Sequence, residues 1–213
     1  MNSELLRFNN KQKYVIFDFE TCNLNLASPD NKPWQLAFII AQGDKVIDKF
    51  DYYIHWDDLN ISKDAEKITG FSWSTYKKKS VEAQKVLDHF EEFLYNKEYI
   101  NLGHNIFGFD IYIHNIFRNL LGKKSDYSYL DRSIDTLSIA KAIEKNIPYN
   151  KSEPLSVFQF KLNSFRERGM SLNLGACCKK YDVNFDPSKL HDALYDITKN
   201  FEVFSKMLWN IEL

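Results

Sequence analysis

The first quarter of the chain is dominated by short runs of apolar, strand-forming side chains. Beyond it, most apolar residues recur at the longer spacing of helices. Runs rich in β-branched and aromatic residues predict strands at 13–20, 34–42 and 45–56. Pro33 and the Gly43-Asp44 turn separate them, as in a meander. A short helix is expected over 62–69, closed by Gly70, and a longer one over 81–95 with Val86, Phe90, Phe93 and Leu94 at helical spacing. EYINLG at 98–103 reads as a fourth strand. Residues 110–121 read as a helix with Ile113, Ile116, Phe117, Leu120 and Leu121 on its apolar face. A fifth strand over 129–135 leads into a helix over 136–145. Between 146 and 170 the pattern weakens around Pro148, Pro154, Lys161, Arg166 and Arg168, which predicts a long loop or insertion. Helices are expected again over 172–181 and 192–210, the last with Ile197, Phe201, Phe204 and Leu208 on one side. No repeat or low-complexity tract interrupts the chain. This order predicts one α/β domain over 1–213: a five-stranded mixed sheet, its first three strands antiparallel, with helices on its faces.

Within that frame the stretch YVIFDFETCNL, residues 14–24, is anomalous. Asp18 and Glu20 lie two apart on an apolar strand and so share one face. Two like charges on a half-buried surface repel and lose hydration, and a divalent cation would compensate them. A second acidic position, Asp110, ends GHNIFGFD at 103–110, where a strand gives way to a helix. A carboxylate at a helix N-terminus is favoured electrostatically, so a simple cap accounts for it equally well. The third place is LHDALYDITKN at 190–200. His191 and Asp196, five apart, reach one point only if His191 lies in the loop before the regular turns. A buried ion pair plus a surface histidine is the plainer alternative. Jointly, four carboxylates and one histidine on these elements suit hard cations held by oxygen. Two such ions, roughly 4 Å apart, hold the attacking and leaving oxygens of a phosphate in line, and the histidine suits a general base.

Composition narrows the partners. The 213 residues carry a net charge of -1 and an isoelectric point near 6.5, which excludes wrapping a long duplex by charge alone. A short nucleic-acid footprint remains open. Cys22, Cys177 and Cys178 show neither a disulfide framework nor zinc-ligand spacing, which suits a reducing compartment. With no signal peptide or membrane-length apolar run, a soluble, cytoplasmic protein is expected.

The three motifs in this order closely resemble the DnaQ-like, or DEDDh, 3′-to-5′ exonucleases of the ribonuclease H-like fold, over nearly the whole chain. DFET at 18–21 corresponds to the first motif. HNIFGFD at 104–110 corresponds to the second, spaced as in exonuclease I and TREX-type members, and HDALYD at 191–196 to the third. ITG at 68–70 and IDTLSIAKAI at 134–143 resemble secondary signatures. The first motif departs from the pattern at Cys22 and Asn23, where Thr and Gly are usual; Asn tolerates a left-handed turn there. The resemblance implies two divalent cations, Mg²⁺ or Mn²⁺. Asp18, Glu20 and Asp196 would hold the one that activates water. Asp18 would bridge to the second, with Asp110 assisting through water, and His191 would be the general base. It also implies substrate contacts from Phe19, Thr21, Leu24, Asn105 and Phe109, and release of nucleoside 5′-monophosphates from a DNA 3′ end.

Alternatives of other kinds stay open. They are an exoribonuclease acting on short or structured RNA, a proofreading subunit beside a polymerase, and a binding module with a dead site. The chain ends one turn after the last predicted helix, which leaves no tail for docking a polymerase. Lys77-Lys78-Lys79 reads as a solvated run that could touch phosphate. Lys161, Arg166 and Arg168 are expected along the strand path. The four tryptophans, Trp34, Trp56, Trp73 and Trp209, are expected to be at least partly buried.

Overall fold

The computed structural model describes residues 5–23, 25–28 and 31–213. Its sheet is built from β1 (Lys13–Thr21), β2 (Pro33–Gln42), β3 (Lys45–His55), β4 (Val81–Glu82), β5 (Tyr99–Gly103) and β6 (Ser133–Asp135), in the spatial order β4-β3-β2-β1-β5-β6. β1, β2 and β3 pair antiparallel as expected. β5 and β6 extend the sheet in parallel on one side and β4 does so on the other. The sheet therefore has six strands, not five. The extra one is only two residues long, and on sequence alone it merges with the helix that follows.

The period-two pattern of β1 sorts its residues between two cores. Val15, Phe17 and Phe19 face α3 (Ala83–Leu94) and α4 (Asp110–Leu120). Phe17 and Phe19 pack on Phe90 with ring centroids 5.2 and 5.8 Å apart. Tyr14 and Ile16 face the opposite layer, formed by α5 (Thr136–Glu144), α6 (Leu155–Asn163), α7 (Leu174–Lys180) and α8 (Ala193–Met207). Tyr14 meets Phe201 and Phe204 of α8 at 5.9 and 5.8 Å. Each such buried side chain contributes about 1.5–3 kcal/mol. Asp18 and Glu20 continue the Tyr14–Ile16 face, so the packing that seats α8 brings its N-terminus beside them.

Two further helices depart from the sequence reading. α2 (Trp73–Lys79), which follows α1 (Lys63–Thr69), was not expected. It buries only Tyr76, so it carries almost no apolar stripe. α6 lies in the segment expected to be a loop. Leu155, Phe158 and Leu162 have helical spacing and pack into the core, but the same face buries Ser156, Gln159 and Asn163, which dilutes the periodicity. The segment expected as a strand over 129–135 is a 3-10 turn, Leu130–Arg132, before the short β6. α1 ends at Gly70 in the left-handed conformation, as expected. Of the tryptophans, Trp209 is 65% exposed, against expectation; it packs edge-on against Phe8. Among the described residues no helix is long and apolar enough to cross a membrane.

Candidate active site

β1 outruns its parallel neighbour. It pairs with β5 only over Lys13–Ile16, and its last residues project past the end of β5. The Phe19 N–H, left without a strand partner on that side, donates to Asp110 Oδ1 at 3.0 Å. Asp110 is the first residue of α4, after Phe109 at the N-cap, and its carboxylate also accepts from its own backbone N–H. It therefore holds the helix start and at the same time reaches across to β1. The site thus lies at the carboxyl end of the central strands, where α/β sheets commonly bind ligands.

α8 supplies the remaining pair. Asp192 caps it by accepting from Tyr195 N at 2.8 Å. His191 precedes the cap in a left-handed conformation, φ 74°. That geometry costs a non-glycine residue about 1–2 kcal/mol. Its backbone N–H donates to Asp196 Oδ2 at 3.0 Å. His191 therefore stands in the loop, as the five-residue spacing required, with its exposed side chain at the rim of the site. The other oxygen, Asp196 Oδ1, is buried and lacks a hydrogen-bond partner among the described residues.

Asp18, Glu20, Asp110, His191 and Asp196 line one cavity of about 380 Å³, together with Phe19, Thr21, Asn105 and Phe109. The structure thus brings together the predicted site residues except Leu24, which lies outside the described residues. Burial lifts the Asp18 carboxyl well above its usual range, with further contributions from the charges of Asp110, Glu20 and Asp196. Burial, then Asp196 and Asp110, pushes Glu20 to about 8. Burial pushes Asp110 to about 7 against the opposing Phe19 hydrogen bond. Asp196 rises to about 6, again mainly through burial. Four carboxylates that resist ionisation in one cavity, one with an orphaned oxygen, form a donor set suited to a divalent cation. As placed, no three His, Cys, Asp or Glu side chains among the described residues are grouped so that they could hold a metal ion.

The sequence reading missed what holds the second motif in place. Asp135, fully buried at the N-cap of α5, accepts from Asn105 N at 2.8 Å, Phe107 N at 3.1 Å and Leu137 N at 2.9 Å. α6 braces it from behind. Gln159 Oε1 accepts from Asp135 N at 2.7 Å, and Asn163 Nδ2 donates to Asp135 Oδ2 at 3.2 Å and to Asn105 Oδ1 at 3.3 Å. These bonds fix Asn105 in its left-handed conformation, φ 65°. The Leu155, Phe158, Leu162 spacing was the available signal for α6. Beside it, His104 Nδ1 lies 2.9 Å from Thr136 Oγ1, which donates to Asn200 Oδ1 of α8 at 2.7 Å. Burial pushes His104 down to about 4, so it is neutral.

The first-motif turn is also held differently. Positive φ outside glycine occurs, among the described residues, at Asn105, Asn146, Asp182 and His191, so Asn23 is not left-handed. Asn23 N instead donates to Asn31 Oδ1 at 3.2 Å, and Thr21 Oγ1 donates to Asn23 O at 2.6 Å. The cations expected along the strand path are engaged elsewhere. Lys161 pairs with Glu153 at 2.6 Å and Arg166 donates to the Asn163 carbonyl. Neither these two nor Arg168 lines the cavity.

Comparison with known proteins now decides the family. Residues 15–204 match the RNase_T family model, described as exonuclease. The chain belongs to this exonuclease family. It is 29% identical over 200 residues to the DNA polymerase III PolC-type of Ureaplasma parvum, covering 93% of this chain but 12% of that protein. Among solved structures, E. coli exonuclease I in complex with a dA16 oligonucleotide superposes with a TM-score of 0.72 at 17% identity, over 94% of this chain and 41% of that one. A zinc-bound form of the E. coli exonuclease I–single-stranded DNA complex gives 0.69 at 17% identity, over 92% and 40%. These likenesses bear out the ribonuclease H-like fold of the DnaQ-like exonucleases. The chain spans well under half the length of these relatives.

Proposed function

We propose that this exonuclease is a divalent-metal-dependent 3′-to-5′ enzyme that removes nucleoside 5′-monophosphates from the 3′ end of single-stranded or frayed DNA. The observation that carries the reading is the convergence of Asp18, Glu20, Asp110, Asp196 and His191 on one cavity, with Asp196 Oδ1 left unpartnered. Asp18, Glu20 and Asp196 would hold a divalent cation, with Asp110 supporting a second shared through Asp18. Bound cations would neutralise the carboxylates and stabilise charge on the scissile phosphate. His191, exposed in the loop before α8, would take a proton from the attacking water. The water oxygen bonds to phosphorus, the P–O3′ bond breaks, and the departing 3′ oxygen acquires a proton. Asn105 and Phe109 border the cavity beside Asp110 and would guide the terminal nucleotide, as would backbone groups near Phe19 and Thr21. The amide of Phe19, already donated to Asp110, would serve by positioning that carboxylate.

The likeness to a PolC-type DNA polymerase favours DNA over RNA. It also favours a second reading in which the same hydrolysis edits the product of a polymerase. Stoichiometric co-purification with a polymerase would establish that role. The test of the reaction uses 5′-labelled single-stranded DNA and matched RNA with magnesium, manganese or chelator. A ladder shortening from the 3′ end is expected, lost with chelator and in Asp18→Ala. Absence of cleavage of either strand by the wild-type protein, with binding retained, would overturn the proposal. Full activity in His191→Ala would remove that residue from its role as base.

A further inference from the structure

Beside the catalytic cavity runs a larger groove of about 990 Å³. Thr69 and His191 line both, so the two adjoin. Its walls come from the outer end of the sheet (Trp34, Gln35, Lys49, Tyr53), from α1 and the turn after it (Lys67, Phe71), and from the start of α8 (Tyr195, Lys199). Its charged lining is mostly basic. Lys49, Lys67 and Lys189 line it without an ion pair among the described residues, Lys199 lines it paired with Glu202, and Asp192 is the carboxylate on its wall. Aromatic rings are interleaved with these cations. Tyr195 is flanked by the ammonium groups of Lys189 and Lys199 at 5.9 and 5.8 Å, and Lys79 lies 5.8 Å from the Tyr53 ring. Trp34, 2% exposed, has an indole N–H with no acceptor among the described residues.

We propose that this groove carries the single-stranded DNA leading up to the terminal nucleotide, its phosphates on Lys49, Lys67 and Lys189 and its bases against Tyr53 and Tyr195. The inference rests on the exonuclease reading of the adjoining site. Alternating cations and ring faces are the recognition chemistry of a single strand, because every base offers a π-face and every linkage a charge. The groove also relocates the strand path away from Lys161, Arg166 and Arg168, and it gives Lys79, from the 77–79 run, a place beside the strand.

The test is the Lys49→Gln/Lys67→Gln double variant, neither lysine lining the catalytic cavity. Binding of a labelled DNA oligonucleotide is measured in chelator across a salt series, and cleavage is compared on an oligonucleotide and a dinucleotide. The expected result is a salt slope shallower by about 0.7 per lysine removed, together with a loss in kcat/KM that is larger on the oligonucleotide than on the dinucleotide. Tyr53→Leu should raise KM on the oligonucleotide by about 5-fold or more, the lower end of one lost base stack. An unchanged slope with equal losses on both substrates would overturn the groove while leaving the exonuclease intact. Equal competition by polyglutamate of matched charge would also overturn it, pointing to an acidic peptide instead. Wild-type protein that binds in the groove but never cuts would overturn the catalytic reading and keep the binding site.

Discussion

Replacing Asp110 by Asn should stabilise the metal-free protein at neutral and alkaline pH, although it removes a residue expected to be essential. Asp110 is 1% exposed, and its carboxyl sits at about 7 instead of its ordinary 3.8. That displacement corresponds to about 4 kcal/mol against the ionised form. The sign follows from proton linkage. A raised folded-state value means that the native protein holds its proton longer than the unfolded chain. Stability from this group is then undiminished below about pH 4, falls as pH rises towards 7, and is fully lost above that. Asn is neutral throughout and still accepts the Phe19 N–H. Neighbouring carboxylates share the strain, so about half, roughly 2 kcal/mol, is a conservative expectation. For a domain of this size that raises the melting temperature by roughly 4–8 °C. The assay is thermal melting in chelator at pH 4 and pH 8, repeated with magnesium. The gain should appear at pH 8, vanish near pH 4, and shrink or reverse when magnesium stabilises the wild type more than the variant. A variant less stable than wild type at pH 8, or a difference independent of pH, would refute the reasoning.

Other perturbations test the scaffold of the site. Gln159→Ala orphans the buried Asp135 N–H, so it should cost about 1–3 kcal/mol in chemical denaturation and lower kcat; a silent substitution would show that α6 does not brace the second motif. Gly108→Ala would place a Cβ 2.4 Å from Asn105 Oδ1 and 3.2 Å from Asn163 Oδ1, so activity should fall more steeply than melting temperature as the loop bearing Asp110 shifts. Chelation should abolish hydrolysis reversibly, with activity restored by magnesium or manganese; activity that persists in chelator would contradict the role given to the carboxylates.

The chain's own pattern determined much of this protein. Period two in β1 put Asp18 and Glu20 on one face, and that face proved to be the one that α8 covers. The five-residue spacing of His191 and Asp196 required a loop position for the histidine, and its left-handed backbone before the helix cap supplies it. These features are local, because a side chain's direction follows from a few neighbouring dihedrals. What joins distant segments was decided only by the tertiary structure. Asp110 reads as a cap alone, but the excess length of β1 over β5 exposes the Phe19 N–H, which it accepts as well. α6 reads as a loop because Gln159 and Asn163 are polar, yet burial turns them into the brace behind Asp135. The basic groove assembles lysines from β3, α1 and the loop before α8 that no stretch of sequence groups together. Apolar residues declare their burial by spacing alone. A polar residue's role depends on which partner the fold delivers, and that partner is set by packing across the whole chain.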